Sequence, residues 1–375
     1  MLGAGMMGRA VAYDLARAGG VEGVVLGDLS PDVAREAARW TGSPKVEPVR
    51  ADVSDAAGVR RLMNGGFDVA VGAVSYRFND ALAREAIRAG VHFCDLGGNN
   101  TVVERELARH ASAKKAGVTV VPDCGLAPGL VSLVAARALE ILGGRADEVR
   151  IRVGGLPMHP KPPFNYKLVF SPEGLVNEYW EPAVALRGGR RVELESLTEL
   201  EELRFPRPFG RLEAFVTSGG ASTLPLTMAG KVSDLDYKTI RYLGHCALMK
   251  GMLWLGLGDI TPVRAGAVRL APREMLLELL RRKLQDDDRD VVLMRVTARR
   301  GRKGVRFQMI DRGLPRRGIT AMMRTTAFPA AAVAWMLGSG RIEEKGALPQ
   351  EMCVPPGAFL DEVRRRGLAI DKTHF

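Results

Sequence analysis

The chain has 375 residues, long enough for two domains, and its 46% hydrophobic content is that of an ordinary soluble globular protein. Its net charge of +11 argues little for nucleic acid, because basic and acidic residues are intermixed and Arg greatly outnumbers Lys; the surplus reads as compositional bias, part of which helps attract an anionic cofactor or a carboxylate substrate. Charged residues interrupt the longest apolar stretches (Arg137 and Glu140 in one, Lys250 in the other), no secretion signal is present, and the four cysteines are scattered. Membrane partners, a disulfide framework and a structural metal site are thereby excluded, and a reducing cytoplasm is expected.

In chain order, the first signal is Gly3-Ala4-Gly5-Met6-Met7-Gly8, a G-x-G-x-x-G turn leading into a helical pattern over residues 9–18 that Gly19-Gly20 stops. Residues 24–28 read as a short buried strand ending in Asp28, 20 residues beyond Gly8, where a doubly wound sheet places the acid that meets the adenosine ribose hydroxyls. The turn's glycines and helix N-terminus suit a pyrophosphate. Asp28 repels a 2′-phosphate, so NAD is expected rather than NADP. Only Met1 and Leu2 stand where the strand before the turn belongs, which predicts a frayed turn, a sheet with its first strand largely missing, and weak dinucleotide binding.

Helices are then expected over 31–41, 56–64, 80–89 and 102–116, alternating with strands over 46–51, 67–74, 91–96 and 118–122. This βα alternation predicts a Rossmann-type parallel sheet for residues 1–126. Ligands sit beyond the carboxyl ends of such strands. Those ends carry Asp52, Ala73 and Val74, Asp95 before Leu96-Gly97-Gly98, and Asp123 before Cys124-Gly125. A helix over 128–142 leads into strand-like runs at 148–153, 192–194, 213–217, 235–242, 291–297 and 305–309, with helices over 244–257 and 273–284. Residues 127–320 therefore form a mostly antiparallel α+β substrate domain, whose sheet offers a surface for a homodimer or larger assembly. The apolar helix over 321–337 opens a C-terminal segment, 321–375, that returns to the nucleotide domain. Asp286-Asp287-Asp288 reads as a solvated turn.

Three segments of the second half carry chemistry. The loop from Thr217 through Ser218 and Gly219 to Thr223 offers hydroxyl and backbone donors to a carboxylate. In the run Asp236–His245, Tyr237, Thr239 and Arg241 share one strand face, so that Arg241 can meet a carboxylate while His245 sits at the strand end. Arg324-Thr325-Thr326 is a further candidate anion holder.

These segments, with Asp95-Leu96-Gly97-Gly98, Pro122-Asp123-Cys124-Gly125-Leu126-Ala127-Pro128-Gly129, Val153-Gly154-Gly155-Leu156-Pro157 and Glu213–Gly220, resemble the saccharopine dehydrogenase-like family over nearly the full length, its lysine-oxidising members most closely. The resemblance implies NAD-dependent oxidation of an amino-acid amine: lysine gives up hydride from Cε, and the imine hydrolyses to a semialdehyde and ammonia. It further implies that Arg241, Tyr237 and the Thr217–Gly219 loop, with Arg324 and Thr325, hold the substrate, and that His245, Asp95 or Asp123 moves the proton. The alternatives are a saccharopine or carboxyspermidine-type substrate, or a dinucleotide-binding protein without catalysis. The apolar run after His245, Cys246-Ala247-Leu248-Met249, departs from the family pattern.

Overall fold

The computed structural model describes residues 1–286 and 288–375. They fall into two compact units. The first comprises Met1–Arg137, Ser222–Thr227 and Met323–Ala369, and the second Ala138–Ala221, Met228–Met322 and Ile370–Phe375.

The first unit is the expected doubly wound parallel sheet. Val46–Arg50 pairs with Val24–Asp28, while Val69–Gly72, His92–Asp95, Thr119–Val121 and Gly346–Ala347 follow one another on the other side. Leu2 joins the two halves, bridging Gly27 and Gly72 in parallel. The turn is therefore not frayed, contrary to expectation. Leu2 N–H donates to Val71 O at 2.9 Å, Gly3 N–H to Gly27 O at 2.8 Å, and Ala73 N–H to Leu2 O at 2.8 Å. Leu2 thus bonds one neighbouring strand through its own N–H and carbonyl, while Met1 and Gly3 bond the other, Gly27 N–H donating to Met1 O at 2.9 Å, and together the three pin the glycine turn. A cavity of about 800 Å³, lined by Met1, Leu2, Val24, Val25, Asp68 and Val69 among others, lies at the amino ends of these strands. Dinucleotides bind at the carboxyl ends, so this cavity is not the cofactor site.

The helix expected over 102–116 is two helices, Asn100–Leu107 and His110–Lys115. They meet near Arg109, whose guanidinium takes Asp80 with both prongs, at 2.6 and 2.8 Å. The helix Met6–Leu15 starts three residues earlier than its apolar pattern suggests, directly on Gly5.

The second unit is a mixed sheet ordered Asp371–His374, Lys303–Asp311, Asp290–Arg300, Ala146–Pro157, Val232–Arg241, Gly210–Val216 and Glu201–Phe205. All of these neighbours are antiparallel except Ala146–Pro157 and Val232–Arg241. A hairpin, Ala183–Arg187 with Arg190–Leu194, attaches beside Val232–Arg241. The Ala146–Pro157 strand outruns its expected length because Gly154 lets the neighbouring strand approach: a Cβ there would lie 2.5 Å from Ile240 O. The C-terminal segment, read as helices, also supplies the strands Gly346–Ala347 and Asp371–His374. Of the acidic turn, Asp287 lies outside the described residues, while Asp286 pairs with Lys161 and Asp288 with His159. Among the described residues no helix is long and apolar enough to cross a membrane.

Candidate active site

In the first unit, each glycine of the turn has its own reason. Gly3 has φ +97°, and a Cβ there would lie 2.5 Å from Ala73 O and 2.9 Å from Val74; a Cβ on Gly8 would lie 1.8 Å from Gly3 O. These two are demanded by the fold. Gly5 is different: it is exposed, its φ of −65° suits any residue, and a Cβ would have no neighbour within 4 Å. Its smallness therefore serves something outside the protein. Gly5 caps a helix that has no side-chain cap and no acid in its first turn, and Met6 and Met7 open that helix with unpaired N–H groups suited to a phosphate. Asp28, at the end of its strand, accepts Ala4 N–H at 2.9 Å and Ser30 N–H at 3.0 Å. The carboxylate is fixed while lone pairs remain for ribose hydroxyls. These residues fit a nicotinamide dinucleotide, whose bound ring would supply a hydride acceptor. Asp52 caps its own turn instead, accepting the Ser54 N–H and hydroxyl at 2.9 and 2.6 Å; Ser54 also holds its pKa low. Substituting Gly5 with Ala should lower thermal melting by only a few degrees, alanine being the poorer cap by about 0.5–1 kcal/mol. The same substitution should weaken dinucleotide binding about tenfold or more by fluorescence titration.

The carboxyl ends of the next strands hold a buried acidic group. Asp95 is fully buried and Asp123 nearly so. Asp95 Oδ1 accepts Gly97 N–H at 2.6 Å and Asp123 N–H at 3.3 Å. Asp123 sits at φ +64°, a left-handed conformation that Asp tolerates at some cost. Its carboxylate accepts the Ser222 hydroxyl, and its backbone carbonyl accepts Gln350 Nε2. Gly97 makes this approach possible, since a Cβ there would lie 1.9 Å from Asp123 Oδ1. Burial, and then the charge of Asp95, push the Asp123 carboxyl up to about 7. A carboxylate poised there can take up and release protons near neutral pH.

The second unit builds a separate pocket around Arg241. The strand Val232–Arg241 alternates as expected. One face sends Asp236 and Lys238 into an ion network with Arg152, Arg187 and Glu201. The other carries Tyr237, Thr239 and Arg241. Arg241 is buried, donating Nε–H to the Tyr179 hydroxyl at 2.8 Å and Nη1 to Ile240 O at 3.0 Å, with Tyr166 stacked 4.6 Å from its guanidinium carbon. Among the described residues nothing is bonded to its Nη2, which is not among the solvent-sealed unpaired atoms. One nitrogen of the fork therefore keeps its donors for a ligand, in a residue that is only 2% exposed. Burial would lower the guanidinium's affinity for its proton, but Tyr179, Tyr166 and Glu178 more than offset that, so it stays charged.

Tyr179 in turn meets His245 Nε2 at 3.1 Å, and His245 Nδ1 meets Phe164 O at 3.0 Å. The carbonyl fixes the tautomer: Nδ1–H donates to Phe164, and Nε2 accepts from Tyr179, which itself accepts from Arg241. Burial and then Arg241 push His245 down to about 3, so the ring is neutral throughout the physiological range. Both of its nitrogens are engaged. Glu178, beside Tyr179, is pushed up to about 7 by burial, against the pull of Arg241.

The remaining sequence candidates turn inward. Thr217 Oγ1 meets Thr239 Oγ1 at 2.7 Å, and Ser218 donates its N–H to Glu178 O at 2.9 Å and its hydroxyl to Asn177 O at 3.4 Å. Gly219 has open space about it, while Gly220 lies under the Tyr237 ring. Arg324, in the first unit, donates to Gly367 O at 2.5 Å and Arg366 O at 3.2 Å, and Thr325 is fully buried. The sequence reading missed Tyr166, Glu178, Tyr179 and Glu106. The helix Pro172–Trp180, which carries two of them, does have a start signal: Ser171 caps Gly174 N–H, and Pro172 and Glu173 follow.

A parallel sheet with a fold-demanded glycine turn, a solvent-facing Gly5 and a fixed acid after its second position defines the first unit as a Rossmann-type dinucleotide-binding domain. The class is that of two-unit proteins pairing this domain with a mixed sheet. Within it, the chain belongs to the saccharopine dehydrogenase family: residues 1–121 match the saccharopine dehydrogenase NADP binding domain and residues 125–368 the saccharopine dehydrogenase C-terminal domain. Mitochondrial alpha-aminoadipic semialdehyde synthase of Mus musculus is 22% identical over 99% of this chain and 47% of its own length. The NADP⁺-dependent, L-glutamate-forming saccharopine dehydrogenase of Pyricularia oryzae is 24% identical over 56% of this chain and 47% of its own. The chain thus spans about half the length of these curated relatives. The apo L-Glu-forming saccharopine dehydrogenase of Saccharomyces cerevisiae shares the fold, with a TM-score of 0.81, 18% identity, and coverage of 100% of this chain and 98% of that one.

Proposed function

We propose that this protein is a nicotinamide-dependent dehydrogenase that oxidises the side-chain amine of L-lysine, giving the semialdehyde and ammonia. The observation that carries the reading is Arg241: a buried, charged guanidinium with Nε bonded to Tyr179 and Nη2 without a hydrogen bond among the described residues. Such a group accepts one carboxylate. Tyr166 and Tyr179 stand over it, Phe164 and Phe215 pack on the neighbouring His245, and Glu178 acts on it as the nearby acid; these surroundings are aromatic rather than cationic, which suits an amino acid with a single carboxylate and an alkyl chain.

The residues divide the work. Gly5, Met6, Met7 and Asp28 hold the cofactor, with Ala73 and Val74 beside the turn. Arg241 orients the substrate carboxylate, and Tyr237 and the Thr217–Gly219 loop shape that side. Asp123 receives the proton the substrate ammonium must lose before hydride can leave its carbon, since a free lysine amine has a pKa of about 10.4. His245 serves here as a positioning residue for Tyr179, its nitrogens being occupied and its ring held neutral.

The second reading, a saccharopine-type substrate, is supported by the family and by the names of the relatives. Asp28 argues for NAD, whereas the matching domain is described as NADP binding and Arg50 stands opposite Asp28 in strand register. One panel separates these: L-lysine or saccharopine with NAD or NADP at alkaline pH, followed by reduced-cofactor absorbance. Lysine with NAD should give a kcat/KM at least tenfold above any other pair. Turnover confined to saccharopine, or no turnover by folded protein that binds dinucleotide, would overturn the lysine reading.

A further inference from the structure

Glu106 is fully buried on the helix Asn100–Leu107. Among the described residues, no N–H or hydroxyl is bonded to either of its oxygens or to Asp95 Oδ2. Arg105, beside it in sequence, is exposed, and Arg109, three residues on, is already forked onto Asp80. What Glu106 meets instead is the carboxyl of Asp95. Two dry carboxyls in contact cannot both be ionised, so the pair holds one proton. Its location follows from the donors. Asp95 Oδ1 already accepts two backbone N–H groups, from Gly97 and Asp123, which stabilise negative charge on Asp95; Glu106 has none. The proton belongs on Glu106 and is donated to Asp95 Oδ2, which satisfies both orphaned groups at once. Burial, then Asp95, push Glu106 up to about 12; burial raises Asp95 as well, but there the hydrogen bonds from Glu106 and from the Gly97 and Asp123 N–H groups pull the other way.

We propose that Glu106 is a positioning residue for Asp123: by holding the one proton of the pair, it keeps Asp95 as the negative neighbour against which Asp123 exchanges its own proton. Asp95, the Ser222 hydroxyl, Glu351 and the Gly98 N–H act on Asp123 from the elements around it, and Glu106 acts through Asp95. Glu351 is itself held by the hydroxyls of Thr223 and Thr227, both at 2.7 Å. Asp80, paired with Arg109, acts on Glu106. No new charge is required; the device sets where an existing one resides.

The proposal rests on the reading of Asp123 as proton acceptor, but its test does not require turnover. The full chain, labelled at aspartate and glutamate carboxyl carbons, is titrated by carbon-13 NMR, with Asp123→Asn, Asp95→Asn and Glu106→Gln assigning the signals. Glu106 should remain protonated from pH 5 to 9, and Asp123 should titrate near neutrality. Glu106→Gln keeps a neutral donor towards Asp95 and should leave the Asp123 midpoint within a few tenths of a unit. Glu106→Leu removes the donor, forces the proton onto Asp95 and should lower the Asp123 midpoint by about one to two units. Titration of Glu106 in the ordinary carboxylate range in the wild type overturns the proposal, and so does an equal midpoint in the Gln and Leu variants. The wild-type measurement decides even if Glu106→Leu does not fold. Absence of lysine turnover would overturn the substrate reading and leave this result standing.

Discussion

Replacing Arg241 with methionine should lower kcat/KM for the amino-acid substrate by about 100- to 1,000-fold, mostly through KM. Methionine fills similar volume but supplies no fork, and truncating one partner of a buried, charge-assisted pair typically costs about 2–5 kcal/mol. Arg241→Lys should recover little, since a lysine cannot bond Tyr179 and a carboxylate in the same plane. The structure adds a signature that a general loss of fold would not give. Arg241 is the group that opposes the burial of Glu178, so Glu178 becomes harder to ionise in Arg241→Met. Dinucleotide binding, which involves residues of the other unit, should be unchanged in titrations. An Arg241→Met enzyme with wild-type KM would remove this side chain from substrate recognition.

Asp123→Asn should be the second large loss, about 10² to 10⁴ in kcat, the usual contribution of a positioned base. Its pH profile carries the proof. With Asp123 ionising near 7, the wild-type rate should rise through that pH as the carboxylate forms; in the Asn variant this limb should vanish. Stability should move the opposite way. Burial and Asp95 raise the folded-state pKa from the ordinary aspartate range to about 7, so between about pH 4 and 7 the native state holds a proton that the unfolded chain has released. Stability therefore falls as pH rises through that window and stays lower above it. Asparagine does not titrate, so Asp123→Asn should melt higher than wild type at pH 8 and lose the advantage by pH 4. Melting curves that shift equally at both pH values would contradict the assignment.

Much of the first unit was legible because its signals are local. Gly3 and Gly8 are demanded by contacts within the turn and the strand beside it, and the interval from Gly8 to Asp28 is one helix and one strand. The alternation on Val232–Arg241 likewise sorted Tyr237, Thr239 and Arg241 from Asp236 and Lys238. Other features depend on chain segments brought from far away. Tyr179 reaches Arg241 across 62 positions, and Ser222 reaches Asp123 across 99. Glu106 occupies a helix whose sequence reads as an ordinary solvated surface, and its burial against Asp95 follows from the packing of that helix on the sheet.

By itself, then, the sequence determined the dinucleotide turn, the acid that answers it, the strand that presents Arg241 and the family to which these belong, because each is set by backbone geometry within a few residues or by period-two alternation. Tertiary structure alone decided what the titratable groups can do. It pinned the glycine turn through the pairing of Met1, Leu2 and Gly3 with the strands on either side, closed both nitrogens of His245 and held that ring neutral, and buried Asp95, Glu106 and Asp123 together. Proton affinity depends on solvation and on charges that only the folded chain brings within reach.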